Sequence, residues 1–88
     1  MSKQNKKECF KFVEDKGIFN GHTVISCSYN GLTEYITICW RRRVIREGCS
    51  PYGDKVFFDL KEYSGHGWRK KILKDARDYL QSKIMATL

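Results

Sequence analysis

From residue 23 to residue 43, apolar and polar side chains alternate with a period of two on both sides of Asn30-Gly31. Thr23 to Tyr29 and Leu32 to Arg43 therefore read as the two arms of a β-hairpin. Asn-Gly suits a type I′ turn, whose central residues both take positive φ. A two-residue loop also sets the register, with Tyr29 opposite Leu32, Cys27 opposite Glu34, Ile25 opposite Ile36 and Thr23 opposite Ile38. One face then gathers Ile25, Cys27, Tyr29, Leu32, Ile36, Ile38 and Trp40, which is the composition of a core. The other gathers Val24, Ser26, Ser28, Thr33, Tyr35, Thr37, Cys39, Arg41 and Arg43, a hydroxyl-rich and basic surface around one aromatic ring. Glu34 fits the core face poorly, although it lies near the hairpin tip.

Gly48, Pro51 and Gly53 mark residues 46–54 as a loop. A third strand is expected from Lys55 to Lys61, adding Val56, Phe58 and Leu60 to the core and Lys55, Phe57, Asp59 and Lys61 to the polar face. After Ser64-Gly65-His66-Gly67, the spacing of Ile72, Leu73, Ala76, Tyr79, Leu80 and Ile84 predicts an amphipathic helix from Trp68 to about Lys83. Its apolar stripe needs a partner, and the apolar sheet face supplies one. Lys70, Lys74 and Arg77 fall on the opposite side. Residues 8–16 fit a short helix stopped at Gly17, the preferred reading, while Phe10 and Phe12 also alternate as in a strand. The expected fold is α+β: a three-stranded antiparallel sheet with a C-terminal helix packed on one face and a short N-terminal helix. Residues 1–7 read as a basic flexible tail and 8–88 as one domain.

Composition narrows the function. Seventeen Lys and Arg against ten Asp and Glu give a formal charge of +7. That excess is the electrostatic footprint of a nucleic-acid binder, although charge also serves solubility alone. Four cysteines, at 9, 27, 39 and 49, follow a polar N-terminus without the apolar run of a signal peptide. A cytoplasmic location and free thiols are expected. Zinc is not, because no Cys-x-x-Cys or Cys/His knuckle spacing occurs. His22 and His66 have no placed carboxylate or nucleophile beside them. The expectation is a binding protein that is not an enzyme, with no cofactor, membrane span or small-molecule substrate.

Charge is densest at Trp40-Arg41-Arg42-Arg43-Val44-Ile45-Arg46. Arginine forks match phosphate through paired N–H donors, and crowded like charges favour a polyanion. Alternation along a strand places Arg41 and Arg43 on the polar face and Arg42 at the core margin. The candidate nucleic-acid contacts are Tyr35, Thr37, Arg41, Arg43, Arg46, Phe57, Lys61, Lys70 and Lys74. Tyr35 and Phe57 can stack on bases, or simply pack across strands. Trp40 and Trp68 read as packing residues. Gly65-His66-Gly67 can cradle a phosphate at the helix start, though such a pair is usually only a turn.

Phe58-Asp59-Leu60-Lys61-Glu62-Tyr63-Ser64-Gly65, followed by Trp68-Arg69-Lys70 and Ala76-Arg77, resembles the last strand, turn and helix of AP2-like DNA-binding domains of phage and integrase proteins. That resemblance implies duplex DNA read by the exposed sheet face. Gly65-His66-Gly67-Trp68-Arg69-Lys70-Lys71-Ile72-Leu73-Lys74-Asp75-Ala76 resembles the start of the final helix in double-stranded-RNA-binding domains, with Leu73 replacing the usual alanine. That likeness implies contacts through helix ends and a loop. Both cover the last third of the chain best. Duplex DNA is the preferred partner. The alternatives are double-stranded RNA and a partner protein engaged by a small phage-type inhibitor or adaptor, since exposed Tyr, Trp and Arg also favour protein interfaces.

Overall fold

The computed structural model describes residues 9–49 and 63–88, and residues 56–59 through their backbone. Five antiparallel strands run in chain order across one sheet: β1 (Lys11–Asp15), β2 (His22–Tyr29), β3 (Leu32–Cys39), β4 (Val44–Glu47) and β5 (Val56–Asp59). One helix, α1 (Trp68–Thr87), follows and lies over β2 and β3. The α+β class and the helix on one sheet face are as expected. The number of strands is not.

The β2–β3 hairpin has the expected register along its whole length, from Tyr29 opposite Leu32 to His22 opposite Cys39. Asn30 and Gly31 have φ of 53° and 81°, the pair of positive values that a type I′ turn requires. Ile25, Cys27, Ile36, Ile38 and Ile45 meet Ile72, Ala76, Leu80 and Ile84 of α1 in a fully buried core. Leu73 and Tyr79 pack at its margin. The helix runs one turn past Lys83, to Thr87.

Glu34 finds a cation: Lys83 Nζ lies 3.6 Å from its carboxylate and also bonds Glu47, the next acid on that face. Arg77 pairs with Glu14 of β1 and so turns toward the sheet, away from the outer side expected for it. These pairs line the rim of the core, where long side chains cover apolar surface while their charged ends stay wet. The hydrogen bond to Glu47 raises the Lys83 pKa more than burial lowers it.

Three expectations are corrected. First, residues 11–15 form a strand in place of a helix. So short a helix is marginal on its own. As a strand, the segment bonds β2 and sets Phe12 beside Cys27 on the core face. Second, the arm expected from Leu32 to Arg43 stops at Cys39. Trp40 to Arg43 form a four-residue turn, closed by the Arg43 N–H donating to Cys39 O at 2.8 Å, and β4 returns beside β3. The reversal brings Ile45 opposite Ile38, where both are buried. Arg42 is exposed on this turn, away from the core margin.

Third, the polar face is closed at one end. Val24, Thr37, Cys39, Val44 and Arg46 are buried there. Thr37 Oγ1 donates to Gly48 O at 2.8 Å, and Gly48 N–H donates to Tyr35 O at 2.9 Å. The expected loop 46–54 thus begins as strand, with Arg46 and Glu47 in β4, and the part beyond Cys49 lies outside the described residues. The tail at 1–7 and positions 55, 60 and 61 of the expected third strand also lie outside them.

All four cysteines are free thiols, Cys9 and Cys49 exposed, Cys27 and Cys39 buried. Burial pushes the Cys27 thiol up, away from the reactive thiolate. Native protein should therefore show two fast thiols in a colorimetric titration and four after unfolding. Four fast thiols would mean that the sheet opens readily.

Asp75 is half-buried on α1. Burial, and then the charge of Asp78, raises its pKa. The folded state thus holds this proton more tightly than the unfolded chain does. Stability falls as pH rises through the raised value and is recovered below the unfolded one. Asp75→Asn should raise the urea midpoint at pH 7, and the gain should vanish in acid, where both side chains are neutral.

Candidate nucleic-acid interface

The Trp40–Arg43 turn and the first turn of α1 meet at one end of the molecule. Two indoles join them. Trp40 and Trp68 lie 6.0 Å apart between ring centroids, tilted by 60°. Trp40 is anchored from behind, its Nε1–H donating to Thr23 Oγ1 at 2.7 Å. Arg43 adopts φ of 57°, unusual for a residue with a side chain. This turn carries no glycine, so the last loop position falls to arginine. Its guanidinium lies 4.3 Å from the Trp68 ring and donates to Tyr63 O at 2.8 Å. Arg69 reaches back over both indoles, 4.8 Å from Trp68 and 5.2 Å from Trp40. Each such contact contributes about 0.5–1 kcal/mol when exposed and more when dry.

Six cations therefore share one end: Arg41, Arg42 and Arg43 from the turn, with Arg69, Lys70 and Lys71 from the helix start. Arg41, Arg42, Lys70 and Lys71 are exposed. Lys71 also lies over the Tyr63 ring at 5.5 Å. Among the described residues, the ion pairs involve Lys74, Arg77 and Lys83, and none engages these six. The first turn of α1 contains no acid, and Gly67, at φ 79°, caps it without a side-chain bond. Cations at a helix N-terminus oppose its dipole, at a cost of a few tenths of a kcal/mol each. An anion at this end would relieve both that conflict and the mutual repulsion.

The expected contact residues separate into several places. Arg41, Arg43 and Lys70 belong to the basic end, with Arg43 braced on Trp68 and half-buried. Arg41 and Arg43 do not leave a sheet face, as strand alternation had suggested, because the chain has already turned. Tyr35 does stand on the open part of the sheet, 44% exposed, four residues or about 13 Å along β3 from Cys39. Thr37 is fully buried, and its hydroxyl is engaged by Gly48 O. Arg46 is 8% exposed within β4 and is likewise withdrawn from the surface. Lys74 lies one turn beyond Lys70 and pairs with Asp78 at 2.7 Å. Phe57 falls at the irregularity between β4 and β5, where Ile45 faces Phe58 and Arg46 faces Val56. Lys61 lies outside the described residues.

Arg42 and Arg69 join the basic end without having been expected there, while Lys71 accompanies Lys70 as the run of helix lysines suggests. The signal was present in Trp68-Arg69-Lys70-Lys71, but its closeness to Trp40-Arg41-Arg42-Arg43 depends on a turn with no turn-forming residue. Among the described residues, no group of His, Cys, Asp and Glu is arranged to hold a metal ion, and no helix is long and apolar enough to cross a membrane. Comparisons with protein-family models, curated proteins and solved structures give no match.

Proposed function

We propose that this chain is a small nucleic-acid-binding module that holds a duplex by its phosphates, through the Arg41–Arg43 turn and the start of α1. The observation that carries this reading is the convergence of six cations, unpaired with acids among the described residues, on a turn and a helix start clamped by two indoles. Arg41, Arg42, Lys70 and Lys71 project as the phosphate contacts. Arg43 and Arg69 are positioning residues, since their guanidinium groups lie against Trp68. Contacts of this kind fix a duplex in place without reading its sequence.

Duplex DNA remains the first partner to test. Double-stranded RNA is the second reading, favoured by one specific observation: the arginines stand on a loop beside a helix start, away from the open sheet face. A titration with duplex DNA, duplex RNA and single strands at about 50 and 200 mM salt separates them. Four neutralised phosphates should give a log–log salt slope of about −3.5 on the preferred duplex. Failure to bind any nucleic acid at the lower salt would overturn the proposal and leave the partner-protein reading.

A further inference from the structure

Strand β1 lies at the outer edge of the sheet, with β2 on one side. Half of an outer strand's backbone donors and acceptors face away from its neighbour and can accept another strand. Its sequence, Lys11-Phe12-Val13-Glu14-Asp15, carries opposite charges at equal distances from its middle residue. Lys11, Val13 and Asp15 share one face, opposite Ser28, Ser26 and Val24 of β2, and all three are exposed. Val13 is 54% exposed, a large apolar side chain in the centre of the strand.

We propose that two copies of this chain pair through β1, antiparallel and centred on Val13, so that one sheet runs through both. In that register Lys11 of each copy meets Asp15 of the other, and the two Val13 side chains meet on the two-fold axis. The contact is self-complementary, as such symmetry demands. Neighbouring registers lack this match. Centring on Phe12 removes both charge pairs, and centring on Glu14 sets two carboxylates face to face. A slip of one residue joins opposite faces of the two sheets. On the helix side Phe12 meets Glu14 of the second copy, whose charge its own Arg77 already offsets. Charges on an outer strand ordinarily deter pairing. Against a reversed copy of itself this pattern attracts. The proposal is independent of nucleic-acid binding, since β1 contains none of the six cations of the basic end.

Five residues per edge bury less than the roughly 1,000 Å² of a tight complex, so a reversible dimer is expected, populated at about 0.1–1 mM. Sedimentation equilibrium of nuclease-treated protein should show the apparent mass rising from 10.4 kDa toward twice that value. Lys11→Asp alone, or Asp15→Lys alone, turns two attractive pairs into two repulsive ones and should weaken association roughly tenfold or more. The double reversal should restore it, a rescue that simple damage to the strand would not produce. Val13→Lys, which sets two ammonium groups together on the axis, should abolish it. A single-chain mass throughout the range, a dimer insensitive to either single reversal, or a double reversal that fails to restore association would each overturn the proposal.

Discussion

Replacing Ile38 by alanine is expected to cost about 2–5 kcal/mol of folding stability. Ile38 is fully buried, faces Thr23 on one side and Ile45 on the other, and belongs to the core cluster covered by α1. Cutting back its side chain removes apolar burial and leaves a space that the central strand of a sheet cannot readily close. A domain of this length has a total stability of roughly 4–13 kcal/mol. The melting temperature should therefore fall by roughly 10–30 °C, and urea unfolding should show an earlier midpoint with a similar slope. Ile18→Ala, at an exposed turn position, is the control and should stay within about 0.5 kcal/mol of wild type. A loss no larger than the control's at Ile38 would mean that α1 covers some other surface.

Removing Arg41, Arg42, Lys70 and Lys71 together should reduce duplex affinity by roughly a hundredfold or more at moderate salt and flatten the salt slope by up to about 3.5. The melting temperature of that variant should hold or rise, because like charges at a helix N-terminus oppose the dipole and each other. This combination of lost binding and undiminished stability distinguishes a contact surface from damaged structure. Two controls locate the surface. Lys74→Ala removes a charge already paired with Asp78 and should matter little. Tyr35→Ala tests the open sheet face directly. If Tyr35→Ala weakens binding more than loss of the four cations does, the duplex lies on the sheet, as the AP2-like resemblance implies.

The central hairpin was legible because its instructions are local. Asn30-Gly31 selects the turn, and a two-residue turn leaves one register in which Ile25, Ile36 and Ile38 share a face. The helix was legible for a similar reason, its stripe being long enough to average out single misfits such as Glu34's partner Lys83. Strand β1 was not, because Lys11–Asp15 is too short for either period to dominate; its choice depends on the open edge of β2, which exists only once the hairpin has folded. The Arg41–Arg43 turn was hidden for another reason. It contains no Gly, Pro, Asn or Asp, and its left-handed position is filled by Arg43, held by Trp68 and Tyr63 from elsewhere in the chain. The basic end was therefore present in composition but not in place. Its residue types suggested phosphate, while their grouping came from tertiary contacts.

The indole pair also makes this end of the molecule optically distinct. The chain contains two tryptophans, and both stand in the clamp between the arginine turn and the helix start. All of its indole emission therefore originates beside Arg43 and Arg69, with no distant ring to dilute the signal. A ligand that draws either guanidinium off its ring changes the polar surroundings of both fluorophores at once. A ligand on the open sheet face, around Tyr35, leaves them as they were. The protein thus carries its own unlabelled reporter of where an anion binds, and shifts in emission wavelength during a titration would distinguish the two surfaces before any residue is changed.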